Sequence, residues 1–163
     1  MQYTHSAIWA IIAEAILGKG DKAVELYRMI TPIEHARTKE SANKYKVEPY
    51  VIAADVYGAQ NLAGSGGWTW YTGSSSWYYL AGIQYILGLN IYHNTMSFNP
   101  CIPKDWQEFS IKYKFEESIY NIKIKNPNRK NSGVSKVILD GVEIENKIAL
   151  EGSGRIHNIE VEM

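Results

Sequence analysis

The chain has 163 residues, of which 45% are hydrophobic and 21% charged, a composition typical of a globular protein and not of a disordered one. Its 17 basic and 17 acidic residues cancel, so the charge balance implies no basic face and argues against a nucleic-acid partner. A single cysteine excludes an intrachain disulfide and a cysteine metal cluster, and no apolar run approaches the roughly 20 residues that cross a bilayer, so we expect a cytoplasmic protein with no metal site and no membrane partner.

The first part of the chain predicts four helices. Residues 6–17 are predicted as the first helix, because their isoleucines are spaced to form one apolar face and the glycines of GKGD follow as a stop signal. Asp21 is a natural N-cap for a second helix at residues 22–30. Residues 35–46 are polar and predict a loop or a broken helix. Residues 49–57 begin with proline and are almost wholly apolar, which predicts a short buried helix. A fourth helix is predicted at residues 77–87.

Beyond Asn90 the pattern changes to a period of two residues. Alternating apolar and polar side chains predict half-buried strands at residues 109–115, 119–125, 137–139, 142–144 and 156–161. Helices followed by strands favour two packed modules, giving an α+β fold. We predict a helical domain over residues 1–100 and a small antiparallel β-sandwich domain over residues 101–163.

Between the third and fourth predicted helices lies GSGGWTWYTGSSSW, residues 64–77, which we call the aromatic segment. Its indoles offer flat apolar surfaces to the C–H faces of a pyranose ring, and its small polar residues offer hydrogen bonds to sugar hydroxyls. Residues 73–76 precede an apolar run that predicts a helix, and a helix N-terminus binds phosphate or sulfate. The segment therefore suits a carbohydrate or an anion. The alternative is that its tryptophans are core residues and its serines an ordinary N-cap.

A set of motifs in unbroken order carries a resemblance to a known family: QYTHSAIWA (2–10), TPIEHART (31–38), YKVEPYVIAADVY (45–57), GGWTWYTGSSSWYYLAGIQYILGL (66–89) and NPCIPKDW (99–106). The chain resembles the C-terminal part of glycoside hydrolase family 94. That family contains cellobiose, chitobiose and β-1,2-oligoglucan phosphorylases and the phosphorylase-like domain of cyclic β-1,2-glucan synthases. WTWYTGS is more similar to the β-1,2-glucan members than to the cellobiose enzymes, which tend to have WLTGTA.

The resemblance implies a fold and a reaction. Family members have an N-terminal β-sandwich, a helical linker, an (α/α)6 barrel with the active site and a small C-terminal β-sandwich, and this chain corresponds to the last barrel helices and that final sandwich. The implied reaction is phosphorolysis with inversion, in which a general-acid Asp protonates the glycosidic oxygen while inorganic phosphate attacks the anomeric carbon and releases α-glucose 1-phosphate. The implied partners are a β-glucan oligosaccharide, phosphate as co-substrate without any cofactor, the upstream part of the same enzyme, and a second copy in a full-length homodimer.

The resemblance also assigns site residues. It implies phosphate binding by His5, Thr72 and Gly73. The sugar-binding residues that we predict are Trp68, Trp70, Tyr71 and Glu48. The family's phosphate-binding Arg and its general-acid Asp match no residue of this chain, so we predict no catalytic residue here and no phosphorolysis by the chain alone.

Alternatives stay open for several residues. A helix-capping or core role is the alternative for His5. His35 lies in a polar segment and is interpreted as structural or solvated, and His93 and His157 are interpreted as surface residues. Glu48 and Asp55 would lie about 10 Å apart on the third predicted helix, close to the carboxylate spacing of an inverting glycosidase, although we favour a structural role for them.

Two other functions remain possible. A non-catalytic carbohydrate-binding module would use the aromatic segment to bind sugar and the sheet as a binding sandwich. A hydrolase or synthase on the same kind of helical barrel is a third possibility, and it differs from a phosphorylase in whether glucose or glucose 1-phosphate is produced.

Overall fold

The computed structural model describes residues 1–163. Five α-helices lie in the first part of the chain: α1 (Thr4–Ile16), α2 (Gly20–Met29), α3 (Pro32–His35), α4 (Lys39–Tyr45) and α5 (Thr72–Leu80). Helix α5 continues directly into a π-helical segment, Ala81–Ile86, whose wider winding is visible where the N–H of Leu87 donates to the carbonyl of Gly82 at 2.8 Å. The predicted helices at residues 6–17 and 22–30 are confirmed as α1 and α2. The segment at residues 35–46, predicted as a loop or a broken helix, contains the short helix α4, and α3 ends where the segment begins.

The strands form three sheets. They are β1 (Gln2–Tyr3), β2 (Asp55–Val56), β3 (Leu89–Tyr92), β4 (Thr95–Phe98), β5 (Glu108–Phe115), β6 (Ser118–Lys125), β7 (Lys136–Leu139), β8 (Val142–Ile144), β9 (Ile148–Ala149) and β10 (Ile156–Glu162). Strand β1 pairs with β2, a second sheet has the order β5-β6-β10-β7-β8, and a third has the order β3-β4-β9. All five strands predicted from the period of two are present, as β5, β6, β7, β8 and β10.

One pairing departs from the predicted antiparallel sheet. Strands β6 and β10 run parallel, with Ile159 opposite Ile122, whereas the other pairs are antiparallel. The prediction of a wholly antiparallel sandwich is therefore wrong at this pair. Side-chain alternation sets which residues face the core, but it carries no information about which strand becomes the neighbour or in which direction that neighbour runs.

Helices and sheets share one continuous core. Its buried residues come from α1, α2, the π-helical segment and both larger sheets, for example Ile8, Val24, Met96 and Ile159. The change from helices to strands falls after Leu87, where Gly88 has a positive φ of 74° and its backbone packs against Pro100. The domain boundary at residue 100 stays a prediction.

The predicted helix at residues 49–57 is wrong. Val51, Ile52, Ala53 and Ala54 are buried as predicted, but they form no helix, and only Asp55–Val56 is a strand. The backbone groups of this segment bond to other parts of the chain: the carbonyl of Ile52 accepts from Tyr71 at 3.0 Å, and the N–H of Ala54 donates to Trp68 at 2.7 Å. These tertiary hydrogen bonds satisfy the buried backbone in place of a helical ladder.

Two helix starts also differ from prediction. Helix α5 begins at Thr72 and not at residue 77, so the serines of the aromatic segment form its first turns. Asp21 lies inside the first turn of α2 and does not cap it. Its carboxylate accepts from the side chain of Asn131 at 3.0 Å and the backbone of Lys104 at 3.1 Å, and these bonds, that to Asn131 first, lower the pKa of Asp21. Asp21 therefore ties α2 to the β-sheet half of the molecule.

None of the helices is both long and apolar enough to pass through a membrane. Cys101 is buried next to α1 and α2, and this burial raises the pKa of its thiol to about 11.

Candidate functional site

The N-terminal ends of two helices lie side by side. His5 is the second residue of α1, and its Nδ1 atom lies 3.2 Å from the hydroxyl of Ser74 in the first turn of α5. One turn further along both helices, the rings of Trp9 and Trp77 are 6.2 Å apart. Helices α1 and α5 therefore run in the same direction with their starts together.

This arrangement favours a bound anion. The first N–H groups of a helix have no acceptor within the helix, and the N-terminal end of its dipole is positive. Thr4 uses its N–H to reach the carbonyl of Ala54 at 2.9 Å, but Thr72 and Gly73 lie exposed at the start of α5. The predicted phosphate residues His5, Thr72 and Gly73 are thus brought together. They lie inside the helix starts, and not just before them as the sequence pattern indicates.

Aromatic rings surround the imidazole of His5. The ring centroids of Trp9, Tyr71, Tyr3 and Trp77 lie 5.7, 5.9, 6.0 and 6.4 Å from that of His5, mostly in edge-on orientation. Trp68 joins the group through Tyr71, at 6.0 Å. We call these rings, together with His5, the His5 cluster. A core role for His5 is not observed, because the residue is only half-buried and its ring lies among partly exposed side chains.

Two tyrosine hydroxyls meet at the edge of this cluster. The hydroxyls of Tyr3 and Tyr71 lie 2.9 Å apart, and their hydrogen bond is the main cause that raises the pKa of Tyr3. Each hydroxyl can also form a hydrogen bond to a further group. They add a polar rim to an otherwise aromatic surface.

Residues 51–56, of which the first four are buried, hold the aromatic segment in place from behind. The N–H of Gly67 donates to the carbonyl of Asp55 at 2.8 Å, and the N–H of Gly66 donates to that of Tyr45 at 2.8 Å. A β-carbon on Gly66 would lie 2.2 Å from Val47, and one on Gly67 would lie 2.1 Å from the carboxylate of Asp55. These glycines allow close packing of the backbone and thereby fix the position of the tryptophans that follow.

Trp68 and Trp70 are surface residues. Their exposed fractions are 76% and 62%, so the alternative that they belong to the core is wrong. Trp70 has a positive φ of 58°, a backbone conformation that costs a non-glycine residue about 1–2 kcal/mol. Strain of this kind persists only where the surrounding structure enforces it, and it clusters at functional sites.

Glu48 contacts Trp70 and not the His5 cluster. Its carboxylate accepts from the indole N–H of Trp70 at 3.3 Å, and the ring of Tyr50 lies 6.1 Å from that of Trp70. The four predicted sugar residues thus fall into two neighbouring groups, Trp68 with Tyr71 and Trp70 with Glu48. The carboxylate pair proposed for Glu48 and Asp55 loses its basis, because the two residues do not share a helix and Asp55 packs behind the aromatic segment.

Two of the other three histidines have structural surroundings, whereas His93 is exposed, as predicted. His35 stacks on Tyr45 at 4.5 Å and bonds to the carbonyl of Met29 at 2.9 Å, which confirms its structural interpretation. His157 is not a surface residue: it stacks on Tyr120 at 4.8 Å and pairs with Asp140 at 2.7 Å. No group of three or more His, Cys, Asp or Glu side chains is arranged to hold a metal ion.

Tyr3 and Trp9 were not predicted as site residues, and Ser74 was predicted only as one of the small polar residues at a helix start. Tyr3 and Trp9 flank His5 in the cluster, and Ser74 contacts its imidazole. His5 and Trp9 are four residues apart, and they would have been placed on one face had the first helix been predicted to begin at Thr4 instead of residue 6. Nothing local to Ser74 distinguishes it from Ser75 and Ser76.

Comparison with known proteins gives two family matches. Residues 1–88 match the family described as "Glycosyl hydrolase 94 superfamily, catalytic domain", and residues 89–131 match "Glycosyl hydrolase family 65, C-terminal domain". The second match begins at the first strand of the β-sheet half.

Several curated proteins are similar to the chain. A cyclic β-(1,2)-glucan synthase of Rhizobium meliloti (strain 1021) is 38% identical over 136 residues, which is 83% of this chain and 5% of the relative. The solabiose phosphorylase of Paenibacillus borealis is 32% identical over 99% of this chain and 21% of the relative. The N,N'-diacetylchitobiose phosphorylase of Vibrio proteolyticus is 31% identical over 98% of this chain and 20% of the relative. The chain thus spans about a fifth of the length of these two phosphorylases.

Proposed function

The chain belongs to the glycosyl hydrolase 94 superfamily, and we propose that it is the C-terminal portion of an inverting β-glucoside phosphorylase that supplies part of the phosphate site and part of the sugar site. The observation that carries this proposal is the position of the His5 imidazole beside the first turn of α5, next to Gly73 and Ser74. An anion site beside exposed indoles is what a reaction between phosphate and a sugar requires.

In this proposal, phosphate is bound by three donors. Phosphate carries about two negative charges near neutral pH. The imidazole N–H of His5, the hydroxyl of Thr72 and the backbone N–H of Gly73 can each donate to one of its oxygens, and hydrogen bonds to a charged acceptor are about twice as strong as neutral ones. The positive ends of α1 and α5 add a favourable field. These groups position phosphate for attack on the anomeric carbon.

The sugar rests on the aromatic surface. Trp68 and Tyr71 belong to the His5 cluster, whereas Trp70 contacts Tyr50 and Glu48, so we propose that the two groups contact successive parts of a β-linked oligosaccharide. The carboxylate of Glu48 orients the indole of Trp70 and is available to a sugar hydroxyl.

The proposal assigns the remaining chemistry to residues outside this chain. A general-acid Asp and a phosphate-binding Arg come from the upstream part of the enzyme, with which α1 to α5 complete an (α/α)6 barrel, and the full-length enzyme forms a homodimer. A cytoplasmic location is part of the proposal, since the one cysteine is buried as a thiol and fits a reducing compartment.

The anion site is tested by a phosphate titration of the full chain at constant ionic strength, with the imidazole signals of the four histidines followed by NMR. We expect a saturable shift of His5 and of the Gly73 amide at millimolar phosphate, because only part of the site is present. His35, His93 and His157 serve as internal controls, and chloride serves as the control anion. An unchanged His5 signal, or equal shifts of all four histidines, would contradict the proposed phosphate site.

The proposal that the general acid lies outside this chain is tested by an activity assay. The chain alone should release no α-glucose 1-phosphate from β-1,2-linked glucose oligosaccharides in the presence of phosphate. Release above a blank that is lost in His5→Ala would show that the general acid lies within these residues.

A non-catalytic carbohydrate-binding module is the second candidate, and the exposure of Trp68 and Trp70 favours it. Calorimetric titration with a β-1,2-glucan oligosaccharide, with and without phosphate, separates the two functions. A binding module binds the oligosaccharide with the same affinity in both cases, whereas a phosphorylase site shows coupling between the two ligands.

A further inference from the structure

We propose that Ser74 is a positioning residue that sets the tautomer of His5, so that the imidazole presents Nε2–H to the bound anion. This inference rests on the proposed phosphate site and adds a residue that contacts His5 and not the anion. It follows from the hydrogen-bond requirements of one buried hydroxyl.

The hydroxyl of Ser74 has one partner in the protein. Ser74 is fully buried, with an exposed fraction of 0%, and its only hydrogen bond is that to Nδ1 of His5 at 3.2 Å. The neighbouring serines behave differently, because Ser75 and Ser76 donate to the carbonyls of Tyr71 and Thr72 in their own helix. A buried donor without an acceptor is costly, so the Ser74 hydroxyl must donate to Nδ1.

The direction of this bond decides where the imidazole proton lies. A neutral imidazole has one N–H and one acceptor nitrogen. With Nδ1 accepting from Ser74, the proton is on Nε2. The atom Nε2 is open to solvent, since the buried side-chain atoms without a hydrogen-bond partner are Oε2 of Glu14 and Nε2 of His157.

The consequence for the site is an N–H donor that needs no protonation step. The opposite tautomer would place a lone pair of Nε2 toward the anion, which repels phosphate oxygens. Ser74 therefore favours the Nε2–H tautomer over the Nδ1–H tautomer.

The test measures the tautomer directly. Long-range ¹H–¹⁵N spectra of the full chain, labelled at histidine nitrogen and recorded at a pH where the imidazole signals no longer change, distinguish a protonated from an unprotonated Nδ1. We expect wild-type His5 to carry its proton on Nε2. In Ser74→Ala the ratio of the two tautomers should move toward the Nδ1–H form by about fivefold, the equivalent of one hydrogen bond.

Matched variants separate positioning from folding. Ser75→Ala removes a hydroxyl one residue away that bonds within its own helix, and it should leave the His5 tautomer unchanged. Ser74→Thr keeps the donor and should retain the wild-type ratio. Ser74→Cys keeps the volume and donates weakly, so it should shift the ratio in the same direction as alanine even if Ser74→Ala does not fold. An Nδ1–H tautomer in the wild type, or a wild-type ratio in Ser74→Cys and in a folded Ser74→Ala, would overturn the assignment.

A second measurement keeps this inference distinct from the proposed function. Titration of wild type and Ser74→Ala with inorganic phosphate should show affinity reduced by up to about fivefold in the variant. A tautomer shift without any phosphate response at His5 would support the role of Ser74 and count against the phosphate site. A phosphate response at His5 with no tautomer shift would support the phosphate site and count against the role of Ser74.

Discussion

The imidazole of His5 lies directly beside Gly73, such that a β-carbon built on Gly73 would be 3.4 Å from Cε1 of His5. The two residues belong to helices that start far apart in the sequence and lie side by side at their first turns. The absence of a side chain at Gly73 leaves the space between helix start and imidazole open to a ligand.

Gly73→Ala should weaken phosphate binding without harming the fold. Alanine is favoured over glycine in a helix by about 1 kcal/mol, and a contact at 3.4 Å is ordinary van der Waals contact, so the free energy of unfolding should stay constant or rise slightly. The added methyl group displaces one charge-assisted hydrogen bond to the anion, and affinity should fall by about tenfold or more. Denaturant unfolding and phosphate titration measure the two effects. The control is Ser76→Ala, three residues further along α5. Unchanged phosphate affinity in Gly73→Ala would refute the proposed phosphate site.

Trp70→Gly should reduce oligosaccharide binding while costing little stability. Glycine adopts the positive φ of residue 70 without the strain of about 1–2 kcal/mol that tryptophan bears. Loss of a stacking ring should lower affinity for a β-1,2-glucan oligosaccharide by about fivefold to tenfold. The matched control is Lys46→Gly, since Lys46 has a φ of 57° at the end of α4 and is not one of the predicted sugar-binding residues. Lys46→Gly should gain stability and leave sugar affinity as it was; a large loss of stability in Trp70→Gly would disprove the strain argument.

Gly20→Ala should destabilise the contact between the helices and the β-sheet half. A β-carbon on Gly20, the first residue of α2, would lie 2.1 Å from the carbonyl oxygen of the buried Ile102. Relief requires a backbone shift, and we expect a loss of about 2–4 kcal/mol in the free energy of unfolding. Gly73→Ala is the comparison, because it makes the same change in the first turn of another helix without a backbone clash. Equal stability of the two variants would argue against a rigid contact at Ile102.

Asp140→Asn should make the free energy of unfolding depend less steeply on pH below about pH 4. The backbone N–H of Asn158 at 2.7 Å, and then His157, hold the pKa of Asp140 below its ordinary value. For a carboxyl with a lowered pKa in the folded state, the stabilisation is complete above its ordinary pKa of about 4 and is lost as the pH falls through the lowered value.

Asparagine tolerates the positive φ of 50° at position 140, so the turn should persist in this variant. Unfolding free energies measured between neutral pH and about pH 2 should therefore differ between wild type and Asp140→Asn chiefly in their slope below about pH 4. The exposed Asp105→Asn serves as the control. If the free energy of unfolding changes with pH equally steeply in Asp140→Asn and in the wild type, the Asp140 carboxyl does not contribute to the pH dependence of stability.

The parts of the fold that were predictable are those with a local cause. Side-chain alternation indicated the five strands of the largest sheet, and the apolar face with its glycine stop indicated α1. The motifs around His5 and the aromatic segment were sufficient to indicate the family that the comparison then identified. Burial of residues 51–54 was also predictable, because their side chains are apolar.

The sequence by itself therefore determined which residues of the strands and of segment 51–54 avoid water, which segments alternate as strands, and which family the chain belongs to. The tertiary structure decided the rest: that residues 49–57 bond to the aromatic segment instead of forming a helix, that β10 lies parallel to β6, and that Ser74 reaches His5. The physical reason is the range of the interactions. Periodicity reports the surroundings of each residue along its own element, whereas the partner of a backbone group or a buried hydroxyl is chosen from distant parts of the chain when the whole core packs.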